Sequence, residues 1–486
     1  LEIDMILHFN DIPYLIVMRF ILGWPQRVIS HTTSVVACEI SKVSISSYVD
    51  SVSISKNRAD DSFVGKSSMC PLIAVIDKHA IVVAEIHCAS IVLGTTPILN
   101  NKYWSNALKD IGIESETLMS TYYDSINKKD DYDKYFKDVV PKIFHSKYLY
   151  KVTYMFFVWL YIINNAKVFV MPFSGVVYTK YFWRFEYILF KINGIKTILL
   201  PYGADAYMYS RIRDKSLQNV LLINYPNAAR NEKHIEEKVF FWSRYADFTA
   251  SGFMGMDGMP RWDTTIHQHI QINTREWTQK NNYSKSDGKN GVVKIMHTPN
   301  HRGAKGTEYV NKAVDELNKE GLKVELVLLE KIPNSRVREL MQEVDILAEQ
   351  FIGSGYALSG MEGMSSGLPV LANLDNEAYT TIFRRYSFLN ECPILSTTPE
   401  TLKENLRLLV TNPDLRKELG ELGRKYAEKY HSYEMAQYLF THIFRKLDGE
   451  DIDLMNLFHP LKSEYVQNNY IQTPLVNNKY MPREEV

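Results

Sequence analysis

The stretch KIMHTPNHRGAKGTEYV, residues 294–310, decides how the chain is read. It opens as an apolar strand that ends near Met296, turns through Gly303 and Gly306, and continues from about Thr307 as a helix. Between strand and helix stand His297, His301, Arg302 and Lys305. A helix N-terminus is already positive, because its first amides lack partners and the peptide dipoles add. More cations there raise the potential further unless an anion is bound. Arg302 has the planar fork, and Lys305 the mobile point charge, that suit phosphate oxygens. The glycines let the backbone approach a ligand closely. A solvated basic turn fits the same residues, and the stretch alone leaves both readings open. Neither a Walker A loop nor GxGxxG is present.

Downstream, apolar runs alternate with amphipathic ones. KVELVLLE (323–330), DILAEQFI (345–352) and LPVLANL (368–374) read as buried strands. TEYVNKAVDELNKEG, RVRELMQEV and GSGYALSGMEGMSSG read as the helices between them. Tyr309, Val310, Ala313, Val314 and Leu317 fall on one helical face, with Gly321 placed to end the helix. The segment 353–370 is a glycine-rich entry, a short helix and a strand. Backbone amides at Tyr356, Ala357, Leu358, Ser359 and Gly360 are candidates to meet a second face of the same anion. Glu362, further along that helix, has the acceptor oxygens for a sugar diol. It also fits an ordinary surface position, although Met361 and Met364 beside it argue for burial. Near the end, Thr398 and Pro399 read as N-cap and first helical residue, and a long helix is expected over 413–447. The remainder, from about 450, reads as a tail or strap.

Upstream, 90–112, 168–175 and 196–207 repeat a plan of continuous apolar strand followed by polar glycine loop. That rhythm predicts a parallel sheet covered by helices, with ligands beyond the carboxyl ends of its strands. The positions so marked are Gly94, Thr95 and Thr96, Ser174 and Gly175, and Tyr202, Gly203 and Asp205. Asp205 is read either as a contact for a substrate hydroxyl or as the cap of a following helix. Arg211 and Arg213 reach an anionic substrate or pair with acids such as Asp214, the second being the commoner fate of exposed arginines. The polar stretch 281–291 marks a boundary between halves. Residues 34–55 alternate serine and valine as strands do, and 1–90 stand apart as an extension of unassigned role.

The order KIMHTPNHRGAKGTEYV, KVELVLL, DILAEQF, GYALSGMEGMSSGLPVLAN resembles the nucleotide-sugar-binding domain of GT-B glycosyltransferases. The resemblance is nearest to the retaining group called glycosyltransferase family 4, and within it to bacterial surface-polysaccharide enzymes. It is most specific over 291–430, weaker over 90–280, and does not cover 1–90. It implies an α/β fold of two Rossmann-like domains facing across a cleft, with an acceptor-side domain at 91–285 and a donor domain at 286–430. A crossover helix and tail follow at 431–486. It implies that Lys305 and Arg302 bind the donor diphosphate, although family spacing places the arginine nearer Asn300. It implies that Glu362 binds the nucleotide ribose. The family's first glutamate would fall at Ser354, and a family histidine at Tyr202, so this chain departs at both. Gly94, Thr95 and Gly203 would face the donor and acceptor, with Asp205 on a hydroxyl.

The activity so implied is transfer of a sugar from a nucleoside-diphosphate sugar to a glycan or lipid-linked acceptor, without metal or other cofactor. Two rivals remain: a non-catalytic nucleotide-sugar-binding subunit of a polysaccharide machine, and a GT-B-fold epimerase. Equal numbers of acidic and basic residues give no net charge, so no nucleic-acid partner is expected. Cys38, Cys70, Cys88 and Cys392 show no metal spacing and read as reduced thiols. His267 and His269 alternate as on a strand, with no third ligand at metal spacing. Asp4, Asp11 and Pro13 interrupt the first apolar runs, unlike a secretory signal. The run 152–163 is shorter than the ~20 residues that span a bilayer. It reads first as a core helix and second as a helix on a membrane surface. The expected place is the cytoplasm, with contact at the inner face of the membrane.

Overall fold

The computed structural model describes residues 91–123, 128–176, 183–203, 205–252 and 257–474 in full, with the backbone of two earlier hairpins. The chain forms two compact units, 1–68 and 69–486. In the first, Glu2–Phe9 pairs antiparallel with Ile12–Arg19. The serine–valine stretch 34–55 lies outside the described residues, as do 475–486. The second unit opens with a hairpin of Ala74–Asp77 and Ala80–Val83, then builds two parallel sheets.

The first sheet comprises β1 (Ile91–Thr95), β2 (Ser115–Met119), β3 (Lys134–Tyr135), β4 (Val168–Met171), β5 (Lys196–Leu199) and β6 (Phe248–Thr249). Their order is β6-β5-β4-β1-β2-β3, all neighbours parallel. Val92, Phe169 and Leu199 on one face and Leu93, Val170 and Ile198 on the other are buried because both faces are covered. The helices of this half include α1 (Leu99–Asp110), α2 (Lys147–Asn165), α3 (Trp183–Ile192) and, after α4 (Lys215–Asn224), which packs on the turn Arg302–Lys305, α5 (Glu232–Tyr245).

The second sheet is β7 (Val293–His297), β8 (Val324–Leu328), β9 (Ile346–Gln350), β10 (Val370–Ala372) and β11 (Leu395–Ser396), ordered β8-β7-β9-β10-β11 and parallel throughout. Between its strands lie α6 (Arg302–Lys305), α7 (Thr307–Lys319), α8 (Asn334–Met341), α9 (Leu358–Ser365) and α10 (Glu377–Tyr386), and after them α11 (Leu402–Thr411), α12 (Pro413–Tyr430) and α13 (Tyr433–Leu447). In each sheet the order reverses at one point, between β1 and β4 and between β7 and β9. Crevices for ligands form at such points, beyond the carboxyl ends. Two Rossmann-like halves across a cleft are the GT-B arrangement that the sequence predicted.

Several elements differ from expectation. The basic stretch is not a plain loop: α6 inserts one helical turn, closed by Gly306 at φ 76°, before α7 begins. Val310, Ala313, Val314 and Leu317 are buried, but Tyr309 turns outward. Thr398 does not cap α11, which starts at Leu402, because the Thr398 amide bonds the Thr401 hydroxyl at 3.0 Å and forms a separate turn. The helix expected over 413–447 is two, broken at His431 and Ser432, with Ser432 capping the second through Met435 N. His267 and His269 lie in an extended segment that belongs to no sheet. Helix α2 buries only Val158 and Ile162, so it is a surface helix and not a core one.

The chain joins the halves twice. Residues 265–280 lead from the first to the second, so the polar stretch 281–291 already lies on the second, where Arg416 binds the Ser284 and Ser286 carbonyls. Helix α13 returns and packs on α1, with Gln437 Nε2 donating to the Ala107 carbonyl at 2.9 Å. The strap after α13 buries Leu454, Phe458 and Val466.

Candidate functional site

The reversal point of the second sheet is built around His297, the last residue of β7. Its Nδ1–H donates to the Ala348 carbonyl at 2.7 Å, so Nε2 accepts from the Thr307 hydroxyl at 2.9 Å. Burial pushes its pKa down to about 4, and the Lys305 and Arg302 charges add to that, so the ring is neutral. His297 thus ties β7, β9 and the start of α7 together.

Helix α6 then sends its two cations in opposite directions. Arg302 faces out, its guanidinium spanning Glu308 at 2.7 Å and Glu330 at 3.1 Å. Lys305 faces in. Its ammonium lies on the Glu349 carboxylate and donates to Gln350 Oε1 at 3.1 Å. Gln350 Nε2 in turn donates to the Gly355 carbonyl at 2.8 Å. Glu349 also accepts from the Ser359 hydroxyl at 3.0 Å, while its Oε2 has no hydrogen-bond partner. A buried carboxylate in an apolar strand demands compensation, and Lys305 with the first turn of α9 supplies it.

Helix α9 begins at Leu358, with Ala357 in extended conformation and no side-chain cap. The amide ends of Leu358 and Ser359 therefore stand where an anion is welcome, whereas the Gly360 amide, also expected to face one, is spent on the Ala357 carbonyl at 3.0 Å. Tyr356 is used otherwise. Its ring is buried, its hydroxyl meets Tyr426 at 3.0 Å and His431 at 2.8 Å, and its carbonyl accepts from Gln268 at 2.8 Å. Glu362 is buried beside Asn334, whose Nδ2 lies at 3.4 Å. Burial raises its pKa to about 8 against the pull of Asn334, Arg338 and Lys305. At neutral pH it is a protonated carboxyl that donates as well as accepts. Ser354 has a buried hydroxyl without a partner, and its amide donates to Asp214 Oδ2 across the halves at 3.3 Å.

In the first half, Gly94 lies within β1, where a Cβ would come within 2.5 Å of the Leu118 carbonyl oxygen; the neighbouring strand demands the glycine. Thr95 is buried and donates to the Gly175 carbonyl at 3.4 Å. Tyr202 donates to Asn101 Oδ1 at 3.1 Å. Asp205, just after Gly203, caps no helix. Its carboxylate accepts from the Phe173 and Tyr202 amides, each at 3.0 Å, and so ties the loops after β4 and β5. Burial raises its pKa to about 6 despite those bonds. Arg211 pairs with Glu236 at 2.5 Å, and Arg213 with Asp257 at 2.6 Å.

The halves meet over this site. Asp214 caps α4 through Leu217 N at 3.0 Å, and Tyr225 bonds His301 of the basic stretch. A space of about 450 Å³ remains between α4 and the second half, lined by Asn219, Ile223, Gly303, Phe351 and Asn373. A second, about 520 Å³, lies between Arg211, Arg213 and Trp262 on one side and Arg385 and Tyr386 on the other. Both sizes suit small ligands. His267 and His269 are buried in the seam, and burial pushes their pKa values down to about 3 and about 4. Among the described residues no group of three or more His, Cys, Asp or Glu is placed to hold a metal ion.

Sequence reasoning missed Glu349, Gln350 and Asn334. The signal for Glu349 was there, an acid inside the apolar run DILAEQFI, but its lysine partner stands 44 residues earlier.

No protein-family model matches the chain. Solved structures are similar to it in backbone. A sucrose-phosphate synthase from Thermosynechococcus elongatus matches with a TM-score of 0.45 at 10% identity, covering 74% of this chain and 99% of that one. WaaG, a glycosyltransferase involved in lipopolysaccharide biosynthesis, matches with a TM-score of 0.44 at 13% identity, covering 74% of this chain and 100% of that one. MnaA from S. aureus, solved with UDP, matches with a TM-score of 0.37 at 13% identity, over 74% of this chain and 97% of that one.

Proposed function

We propose that the chain is a glycosyltransferase that moves a sugar from a nucleoside-diphosphate sugar to a glycan or lipid-linked acceptor in surface polysaccharide synthesis, with retention of configuration. One observation carries this reading. At the reversal point of the second sheet a lysine, an uncapped helix N-terminus and a neutral carboxyl on that same helix stand together, as Lys305, the first turn of α9 and Glu362. Phosphate oxygens match the first two, and a ribose diol matches the third.

In this scheme the donor diphosphate takes the free α9 amides and shares the Lys305 ammonium with Glu349, which keeps its hold on that lysine. Arg302 adds charge by exchanging Glu308 and Glu330 for phosphate oxygens. Charge that develops on the departing diphosphate then meets donors already in place, an effect worth about 3–4 kcal/mol per donor in enzymes generally. Those cations carry the charge, so the scheme asks for no metal. Asp205 serves the acceptor side by holding two of its loops in register. Closure of α4 over the basic stretch excludes water from the donor.

A second reading is a subunit that binds nucleotide sugar without turning it over. It is favoured by Ser354 at the family's glutamate position and by the tight hold of Glu349 on Lys305. Calorimetry with UDP, GDP and their common sugars separates the outcomes. Binding of one donor, weakened by Glu362→Ala and by a Lys305 substitution, supports the site. Donor release of free sugar or transfer then supports the enzyme over the subunit. No binding of any nucleotide overturns both.

A further inference from the structure

Helices α2 and α3 lie on the outside of the first half and expose an apolar surface. On α2, Tyr148 and Val152 are 82% and 79% exposed, with Leu149 and Leu160 also open to solvent. On α3, Phe185, Ile188 and Ile192 follow one another at helical spacing, Ile192 at 78% exposure. The rings of Trp159 and Phe185 meet edge-on at 5.8 Å and join the two stripes. A contiguous apolar surface of this kind is one made to be covered.

The surrounding charge selects the cover. Residues 141–165 contain Lys142, Lys147 and Lys151 and no acid. Helix α3 adds Arg184 and Lys191. Among the described residues none of these four lysines forms an ion pair. The nearby carboxylates are engaged elsewhere. Glu186 is buried on the Val176 amide, Asp138 accepts from the Tyr135 amide, and Glu237 holds Arg184. Unpaired lysines around exposed Tyr, Trp, Phe and Ile are the residue set of helices that lie in a lipid headgroup layer.

We propose that the α2–α3 face docks on an anionic lipid bilayer, its apolar stripe entering the headgroup layer and Lys142, Lys147, Lys151 and Lys191 meeting the lipid phosphates. Helix α2 lies flat on the surface in this arrangement, and among the described residues no helix is long and apolar enough to cross a membrane. The proposal does not depend on the donor site.

Sedimentation of the full chain with phosphatidylglycerol vesicles, and with phosphatidylcholine vesicles beside them, tests it. The wild type is expected to partition at least tenfold more strongly onto the anionic vesicles. Lys147→Ala with Lys151→Ala should lower that by roughly 25-fold, about fivefold per lysine, and added salt should do the same. Val152→Asp with Ile192→Asp should abolish it. The lysine variant guards against misfolding, since it touches only exposed side chains. Failure of the wild type to bind, equal binding to both vesicles, or binding that neither double variant reduces would each overturn the proposal. A dimer in vesicle-free solution that Val152→Asp dissociates would assign the face to a second copy instead, and would overturn it too.

Discussion

Lys305 and Glu349 meet inside the second half, ammonium on carboxylate, with side chains 7% and 0% exposed. Removing one partner of such a pair strands the other charge. Lys305→Ala is therefore expected to destabilise the protein by about 3–5 kcal/mol. Lys305→Met combined with Glu349→Leu should recover most of that loss, because an apolar pair of similar volume does not need the compensation. Under the proposed function neither variant binds a nucleoside diphosphate. Urea unfolding beside calorimetry separates the two effects. Full stability of the single variant would mean that the pair is not buried in solution.

Glu362 gives a pH dependence with a definite sign. Burial holds its pKa at about 8 in the folded chain, against 4.5 for an ordinary glutamate. The folded state therefore keeps a proton that the unfolded state gives up. Its contribution to stability is fully present below about pH 4.5 and is lost as pH rises towards 8. Glu362→Gln is neutral in both states and should flatten that slope. Denaturant midpoints at several values between these limits check it, and an unchanged slope in the variant would refute the assignment.

Asp205 holds two backbone amides, one from each of two loops. Asn at this position can accept one of them and turns N–H groups on the other. Asp205→Asn should cost about 1–3 kcal/mol and, under the proposed function, lower kcat/KM for transfer by loosening the two loops it ties. If activity falls while thermal stability stays at the wild-type value, the residue touches substrate directly and the tie is not its main role.

Asp214 bridges the halves with one carboxylate, capping α4 through Leu217 and accepting from Ser354. Asp214→Ser keeps a cap and is too short for the bridge. We expect stability to change by less than about 1 kcal/mol, while, under the proposed function, the share of donor lost to hydrolysis rises relative to transfer. A product ratio equal to that of the wild type would show that this contact does not govern closure.

Much of the fold could be read from the chain because buried parallel strands leave continuous apolar runs. KIMH, DILAEQF and LPVLAN became β7, β9 and β10 near their expected bounds. Directions of side chains could not be read in the same way. The extra turn α6, closed by Gly306, decides that Lys305 points inward and Arg302 outward, and no pattern in HRGAKG distinguishes them. The apolar run of α2 looked like core because hydropathy alone does not tell which face a neighbour covers. Residues 266–270 alternate because the crossing segment is extended, which needs no sheet partner.

The two passages of the chain between the halves run side by side. Ile272 N donates to the His431 carbonyl at 2.8 Å, and His431 Nδ1 donates to the Ile270 carbonyl at 2.9 Å. Paired straps at one edge behave as the pin of a door. They leave a swing about one line and resist shear and twist, and a cut in the polar stretch 281–291 would leave the second strap holding. Displacement grows with distance from the pin, so a small rotation there opens the far rim of the cleft widest.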